Sequence, residues 1–241
     1  KPYTPNLHPF NWRGWWEYGT GALGDVGCHL IDIPFRTLGL KYPKDAECSV
    51  GSVFTKMWNP DYLPEGCPPS SLITLNFDST QKNDSPIQLT WTDGGIRPPH
   101  PDIIPPNSDI GGPGSGNGVL MIGEKGIIST NINDSSPLTP KLYLYNGETE
   151  FGPEKEEMPE PEYGHQRKWV DACKAGFNSK EHLDLTSSFD YAGPMTETVL
   201  MGNLAIRSYM LRKENPSGGF DFFARKKLLW DGENMRITNL E

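Results

Sequence analysis

Residues 19–32 read Gly-Thr-Gly-Ala-Leu-Gly-Asp-Val-Gly-Cys-His-Leu-Ile-Asp, and the meaning of this stretch decides the fold class. Gly19, Gly21 and Gly24 satisfy the pattern G-x-G-x-x-G, which in a doubly wound α/β sheet turns a buried strand into a helix whose N-terminus faces a pyrophosphate. That geometry needs an apolar strand immediately before the first glycine. Here Asn-Trp-Arg-Gly-Trp-Trp-Glu-Tyr precedes Gly19, bulky, partly charged and interrupted by Gly14. It also needs an acid about 20 residues on, at the end of the second strand. Asp45 and Glu47 stand ahead of the next strand instead. The glycines are therefore read as a narrow entrance to a helix, leaving space at positions 19, 21, 24 and 27 for backbone to approach a ligand.

Outward from that stretch, apolar residues at 23, 26, 30 and 33, flanked by Ile31, Phe35 and Leu38, predict one amphipathic helix from Leu23 to Leu38. Pro34 lacks the backbone N–H and predicts a kink or restart, and Gly39 is placed to end the helix. Strands follow at Glu47–Lys56, Ser71–Phe77 and Ile87–Thr92. Residues 94–118 are too rich in Pro and Gly for regular structure; a loop of that length suggests a ligand cover or a reach to a neighbouring subunit. A hairpin turning at Glu124-Lys125-Gly126 and a strand at Lys141–Tyr145 come next. An acidic connector to Glu162 reads as a solvated loop. Helices are expected from Gly164 to Lys174 and from Pro194, as first residue, to about Arg212. A last hairpin turns at Asp231–Asn234. Helix, strands, helices and hairpin in that order predict an α+β fold, with residues 1–241 forming a single domain.

Composition narrows the function. Of 241 residues, 35% are hydrophobic and 22% charged, as in a folded globular chain. The formal net charge of −9 disfavours nucleic acid and anionic membrane surfaces as partners. No run of about 18 apolar residues exists to span a bilayer. Cys28, Cys48, Cys67 and Cys173 form no C-x-x-C pair and read as buried free thiols, although Cys28 with Cys48 or Cys67 would suit an oxidising compartment. His8, His100, His165 and His182 show no metal-ligand spacing, so no metal site is expected. The first residues, Lys-Pro-Tyr-Thr-Pro, read as the interior of a longer chain.

The second half of the opening stretch carries the chemistry. Asp25 and His29 lie four apart on the predicted helix, with Asp32 and Arg36 continuing the polar stripe. A carboxylate beside an imidazole orients the ring and favours its charged form, as a proton-transferring histidine requires. The same spacing also suits a capping Asp and an ordinary surface His. Arg13, Trp15, Trp16 and Tyr18 are candidates for a sugar-contacting wall, although core packing is the commoner fate of such aromatics.

The motif G-x-G-x-x-x-D-x-G-x-H-x-x-D, from Gly19 to Asp32, resembles the substrate-domain motif of the glucose–fructose oxidoreductase/inositol dehydrogenase (Gfo/Idh/MocA) family. The segments GVLMIGEKGIIST (118–130), SSFDYAGPMTETVLMGNLAIRS (187–208) and LLWDGENMRITN (228–239) are similar to later parts of a branch common in bacterial carbohydrate metabolism. The resemblance implies an open-faced, largely antiparallel sheet with helices on one face. It implies a homodimer or homotetramer formed through the bare sheet face, taken to be apolar. It implies an N-terminal nucleotide-binding domain outside this chain, so that these residues alone are inactive and bind no nucleotide. The parent enzyme would oxidise or reduce a sugar, cyclitol or related polyol with NAD or NADP. His29 then corresponds to the family's general acid/base and Asp25 to the partner that hydrogen-bonds the reacting hydroxyl. The family's catalytic lysine, in an E-K-P motif, is not Lys125, which is followed by Gly126 in a hairpin turn. Two other functions stay open: an NAD-dependent glycoside hydrolase working by transient oxidation, and a non-catalytic interaction domain. Substrate, nucleotide preference and compartment, cytoplasmic or periplasmic, are not encoded in these residues.

Overall fold

The structure is a computed structural model, and it describes residues 5, 7–108, 110, 117–132, 140–151 and 163–240. A single 3₁₀ turn, Trp12–Gly14, leads into α1 (Gly21–Leu30) and α2 (Asp32–Leu38), followed by strands β1 (Asp45–Val50), β2 (Ser71–Phe77) and β3 (Ile87–Thr92). Then come β4 (Asn117–Ile122), β5 (Gly126–Ile132), β6 (Lys141–Leu144) and β7 (Thr149–Phe151). Helices α3 (Gly164–Ala175), α4 (Lys180–Leu183) and α5 (Phe189–Met210) precede β8 (Arg212–Glu214), β9 (Phe220–Phe222), β10 (Leu228–Asp231) and β11 (Arg236–Ile237). All strand pairings are antiparallel, and the fold is α+β as its sequence predicts. Among the described residues no helix is long and apolar enough to cross a membrane.

The strands divide among three sheets: β11-β10-β1-β2-β3, β4-β5-β6-β7 and β8-β9. Alternation along β2 decides the main layer. Ser71, Ile73, Leu75 and Phe77 are buried while the residues between them are only partly so, as a strand with one covered face requires. That covered face meets Leu23 and Leu30 of α1, Phe35 of α2, and Val199, Met201, Ala205 and Ile206 of α5. Helices α1, α2 and α5 therefore line one face. The opposite face is polar rather than apolar, a correction to the sequence expectation. There Lys227 pairs with Asp45 at 3.6 Å and Glu47 at 3.4 Å. Asn76 donates to Asp45 at 2.6 Å, and Gln88 donates to Asn76 at 3.2 Å. Asp93, just past β3, locks the covered face's rim by accepting hydrogen bonds from the Ser71 amide, the Ser71 hydroxyl and the Trp91 indole at 2.6, 2.8 and 2.8 Å.

Pro34 divides the first helical run as predicted. Its ring would strike the Leu30 carbonyl of a continuous helix, so α1 ends at Leu30 and α2 restarts at Asp32, with Pro34 in a first turn where no N–H is needed. Gly39, at φ 66°, closes α2 in the left-handed region. Pro194 behaves differently from its prediction: α5 starts at Phe189, five residues earlier, and Pro194 lies inside the helix. The Thr198 hydroxyl, one turn on, lies between the carbonyls of Pro194 at 2.9 Å and Lys41 at 3.0 Å and shares its hydrogen with them.

The long loop is no free cover over its described part. Ile104 and Ile110 are buried with Ile127 of β5 and Tyr143 of β6, forming a second apolar cluster. Residues 109 and 111–116 of this loop, and residues 152–162 of the acidic connector, lie outside the described residues. The turn at residues 123–126 forms as predicted, with the Gly123 amide donating to the Gly126 carbonyl at 2.9 Å. A side chain at Gly126 would run into the backbone of Tyr143 on the neighbouring strand.

The cysteines are all free, but only two fit the expected burial: Cys28 and Cys173 are exposed, Cys48 and Cys67 half-buried. Burial, then the neighbouring Glu47, pushes the Cys48 thiol up to about 12; burial, then Asp93, pushes Cys67 to about 11. Burial and the bond to Asp32 raise Tyr191 to about 12. These groups keep their protons in the folded chain above the pH at which the unfolded chain loses them. The stability they contribute is therefore full below about pH 9 and is lost as pH rises towards 12. Unfolding midpoints are expected to fall across that window. At neutral pH, peptide mapping after alkylation should find Cys28 and Cys173 modified first.

Candidate functional site

Helix α1 contains three glycines in ten residues, so intrinsic propensity works against it, and tertiary packing must hold it. The buried stripe Gly21, Leu23, Gly27 and Leu30 provides that hold. The space at the glycines belongs to the chain itself. A side chain at Gly19 would lie 2.5 Å from the Arg13 Cα, and one at Gly21 would lie 2.9 Å from the Cys67 sulfur. Thr20 folds over Gly24, and Gly27 faces Leu23 and Ile31. Gly21 also has φ +68°, which favours glycine on backbone grounds alone. Among the described residues no strand precedes Gly19, only the 3₁₀ turn, the isolated bridge at Trp15 and turns. Residues 19–24 do not fit a pyrophosphate, and the expected room for a ligand there is taken by Arg13, Thr20, Leu23 and Cys67.

Those glycines instead dock the aromatic segment on the start of α1. Cys67 donates its amide to the Gly14 carbonyl at 2.8 Å, and the Trp16 amide donates to Glu65 at 3.0 Å. Trp15 pairs with Gly66 as an isolated bridge. The docking places Arg13 beside α1, where its guanidinium forms an ion pair with Asp25. Arg13 also donates from Nε to the Phe10 carbonyl at 3.0 Å and stacks 4.7 Å from the Phe10 ring centre.

Asp25 and His29 do share one face of α1, yet the Asp25 carboxylate is taken by Arg13. No hydrogen bond or ion pair joins His29 to Asp25 among the described residues. His29 is exposed near the C-terminal end of α1, where its side chain is open to a ligand. Asp32, the last residue of the motif, serves the fold: it accepts a hydrogen bond from the Tyr191 hydroxyl of α5. Arg36 stacks over that ring at 4.2 Å and donates to the Thr186 carbonyl at 3.0 Å, while Phe35 meets it edge-on.

Of the aromatic candidates, Trp16 packs against the main core, and Trp15 is half-buried. Tyr18 is exposed, as is Trp12. Arg207 of α5 lies over the Trp16 ring at 5.5 Å, a contact between residues 191 apart in sequence that no local pattern announces. The Arg13–Asp25 pair was equally hidden, because the two residues sit on different elements. Both partners are about one-third exposed or more, so Arg13→Gln is expected to cost only about 0.5–1 kcal/mol in a denaturant melt. Among the described residues no group of three His, Cys, Asp or Glu side chains is placed to hold a metal ion. The chain matches no model of a known protein family and no characterised protein.

Proposed function

We propose that this chain is the substrate-binding domain of an NAD(P)-dependent dehydrogenase acting on a sugar, cyclitol or related polyol, in the manner of the Gfo/Idh/MocA family. The observation that carries the reading is the arrangement on α1. An exposed His29 stands one turn from an Asp25 whose carboxylate is fixed by Arg13, and Trp12 and Tyr18 are exposed on the segment that leads into α1. His29 takes the proton of the substrate hydroxyl as its carbon is oxidised, and returns it to the carbonyl oxygen in reduction. Asp25 accepts a hydrogen bond from the same hydroxyl, and Arg13 keeps that carboxylate in place. The exposed aromatic faces suit the apolar faces of a sugar ring. The nucleotide, which supplies the hydride acceptor, is held by residues other than 19–24. The working enzyme is a homodimer or homotetramer.

The full-length protein, assayed with NAD and NADP against a panel of sugars and polyols, is expected to reduce the nucleotide with at least one of them. Glycoside cleavage with retained NAD and no net reduction would support the hydrolase instead, and no turnover of either kind would contradict catalysis. By calorimetry, residues 1–241 alone are expected to bind neither nucleotide detectably; micromolar affinity would overturn the reading of Gly19–Gly24.

A further inference from the structure

Arg212, which opens β8, has no carboxylate partner among the described residues. Its guanidinium carbon lies 3.7 Å from the centre of the Tyr62 ring and 3.9 Å from that of Phe220. At those separations the two rings cannot share one face, so the guanidinium is clamped between them. Its Nε is sealed from solvent with no hydrogen-bond partner, whereas Nη1 and Nη2 are not sealed. No acceptor engages them among the described residues. Glu214 occupies the same face of β8, two residues along, and does not pair with it.

We propose that Arg212, clamped by Tyr62 and Phe220, is a binding site for a small molecule carrying a carboxylate or phosphate group. A guanidinium held in one plane presents its two outer nitrogens as a parallel fork, which matches two oxygens of either anion. The rings fix the side chain in advance, so little rotamer freedom remains to be lost on binding. They also keep water from the faces of the group, which strengthens attraction at its edge. Arg225 provides the internal contrast. It stacks on Phe222 at 3.3 Å and Tyr209 at 4.7 Å, but its Nε already donates to the Tyr209 carbonyl at 3.0 Å. The site is independent of the dehydrogenase reading, since none of these residues belongs to the α1 arrangement.

The test is an NMR titration of the full chain with inorganic phosphate and, separately, with acetate, ionic strength being held constant with chloride. The Arg212 guanidinium and Tyr62 ring signals are expected to shift saturably with at least one anion. Saturation by phosphate alone identifies a phosphoryl ligand, and by acetate alone a carboxylate. Arg212→Lys keeps the charge but loses the fork, and is expected to bind about ten-fold more weakly or worse, while Arg225→Lys leaves affinity unchanged. Tyr62→Leu, which removes one side of the clamp, must weaken binding as well, and it serves if Arg212→Lys does not fold. Non-saturating shifts with both anions, or wild-type affinity in Arg212→Lys or Tyr62→Leu, would overturn the proposal.

Discussion

Leu23→Ala is expected to destabilise the fold by about 3 kcal/mol, lowering the thermal midpoint by roughly 6–12 °C. Leu23 is 1% exposed and sits where α1 crosses α5. The crossing is close because Gly202 of α5 has no side chain: a Cβ there would lie 2.6 Å from Leu23 Cδ2 and 3.4 Å from Ile73 Cγ2. Removing the leucine leaves a cavity that two helices and a strand cannot jointly collapse around. The same geometry predicts a coupling. Gly202→Ala alone drives a methyl into Leu23, offsetting the roughly 1 kcal/mol that a helix gains from Ala over Gly. In the Leu23→Ala background that methyl finds space, so Gly202→Ala should stabilise. The cycle is expected to show a favourable interaction of at least about 1 kcal/mol. Simple additivity would mean that α1 and α5 do not meet through this pair.

The same crossing shows what the sequence disclosed and what it withheld. Alternation in residues 71–77 and 87–92 reports a sheet with one covered face because each side chain meets its neighbours locally. Pro34 and Gly39 act through their own backbone, so the break and the end of the helical pair were legible. Pro194 misled because the turn from Phe189 forms ahead of it, anchored by Tyr191 on Asp32. Tertiary contact there outweighs the preference of proline for a first turn. The open face looked apolar only by implication. Its polar ladder runs from Lys227, just before β10, through Asp45 and Asn76 to Gln88 on three strands, and no single strand announces it.

At the candidate site, the spacing of Asp25 and His29 correctly set both on one face of α1. It did not reveal that Asp25 turns to Arg13, since that pair depends on how residues 12–19 fold back over the glycines. The glycine motif read as space for a ligand turned out to be space for the chain. Gly19 admits the Arg13 backbone, and thereby brings the guanidinium to the carboxylate. The resemblance to a dinucleotide cradle and the positioning of Asp25 thus have one physical origin, a requirement for close backbone approach.

The second large effect concerns His29. An exposed side chain on a helix surface contributes little to stability, so His29→Ala should change the unfolding free energy by no more than about 0.5 kcal/mol. If His29 moves the hydroxyl proton as proposed, however, its removal should reduce turnover by about 10²–10⁴-fold. Arg13→Gln should act on the same reaction through Asp25, with a smaller loss, because the carboxylate stays on α1 but is no longer held.

The most direct test is kcat/KM of the full-length protein with and without His29→Ala, on every sugar or polyol that the unaltered protein turns over. The proposed role of His29 requires a loss of about 10²–10⁴-fold on all of them with the melting curve unchanged. Unchanged kcat/KM on every active substrate would contradict it.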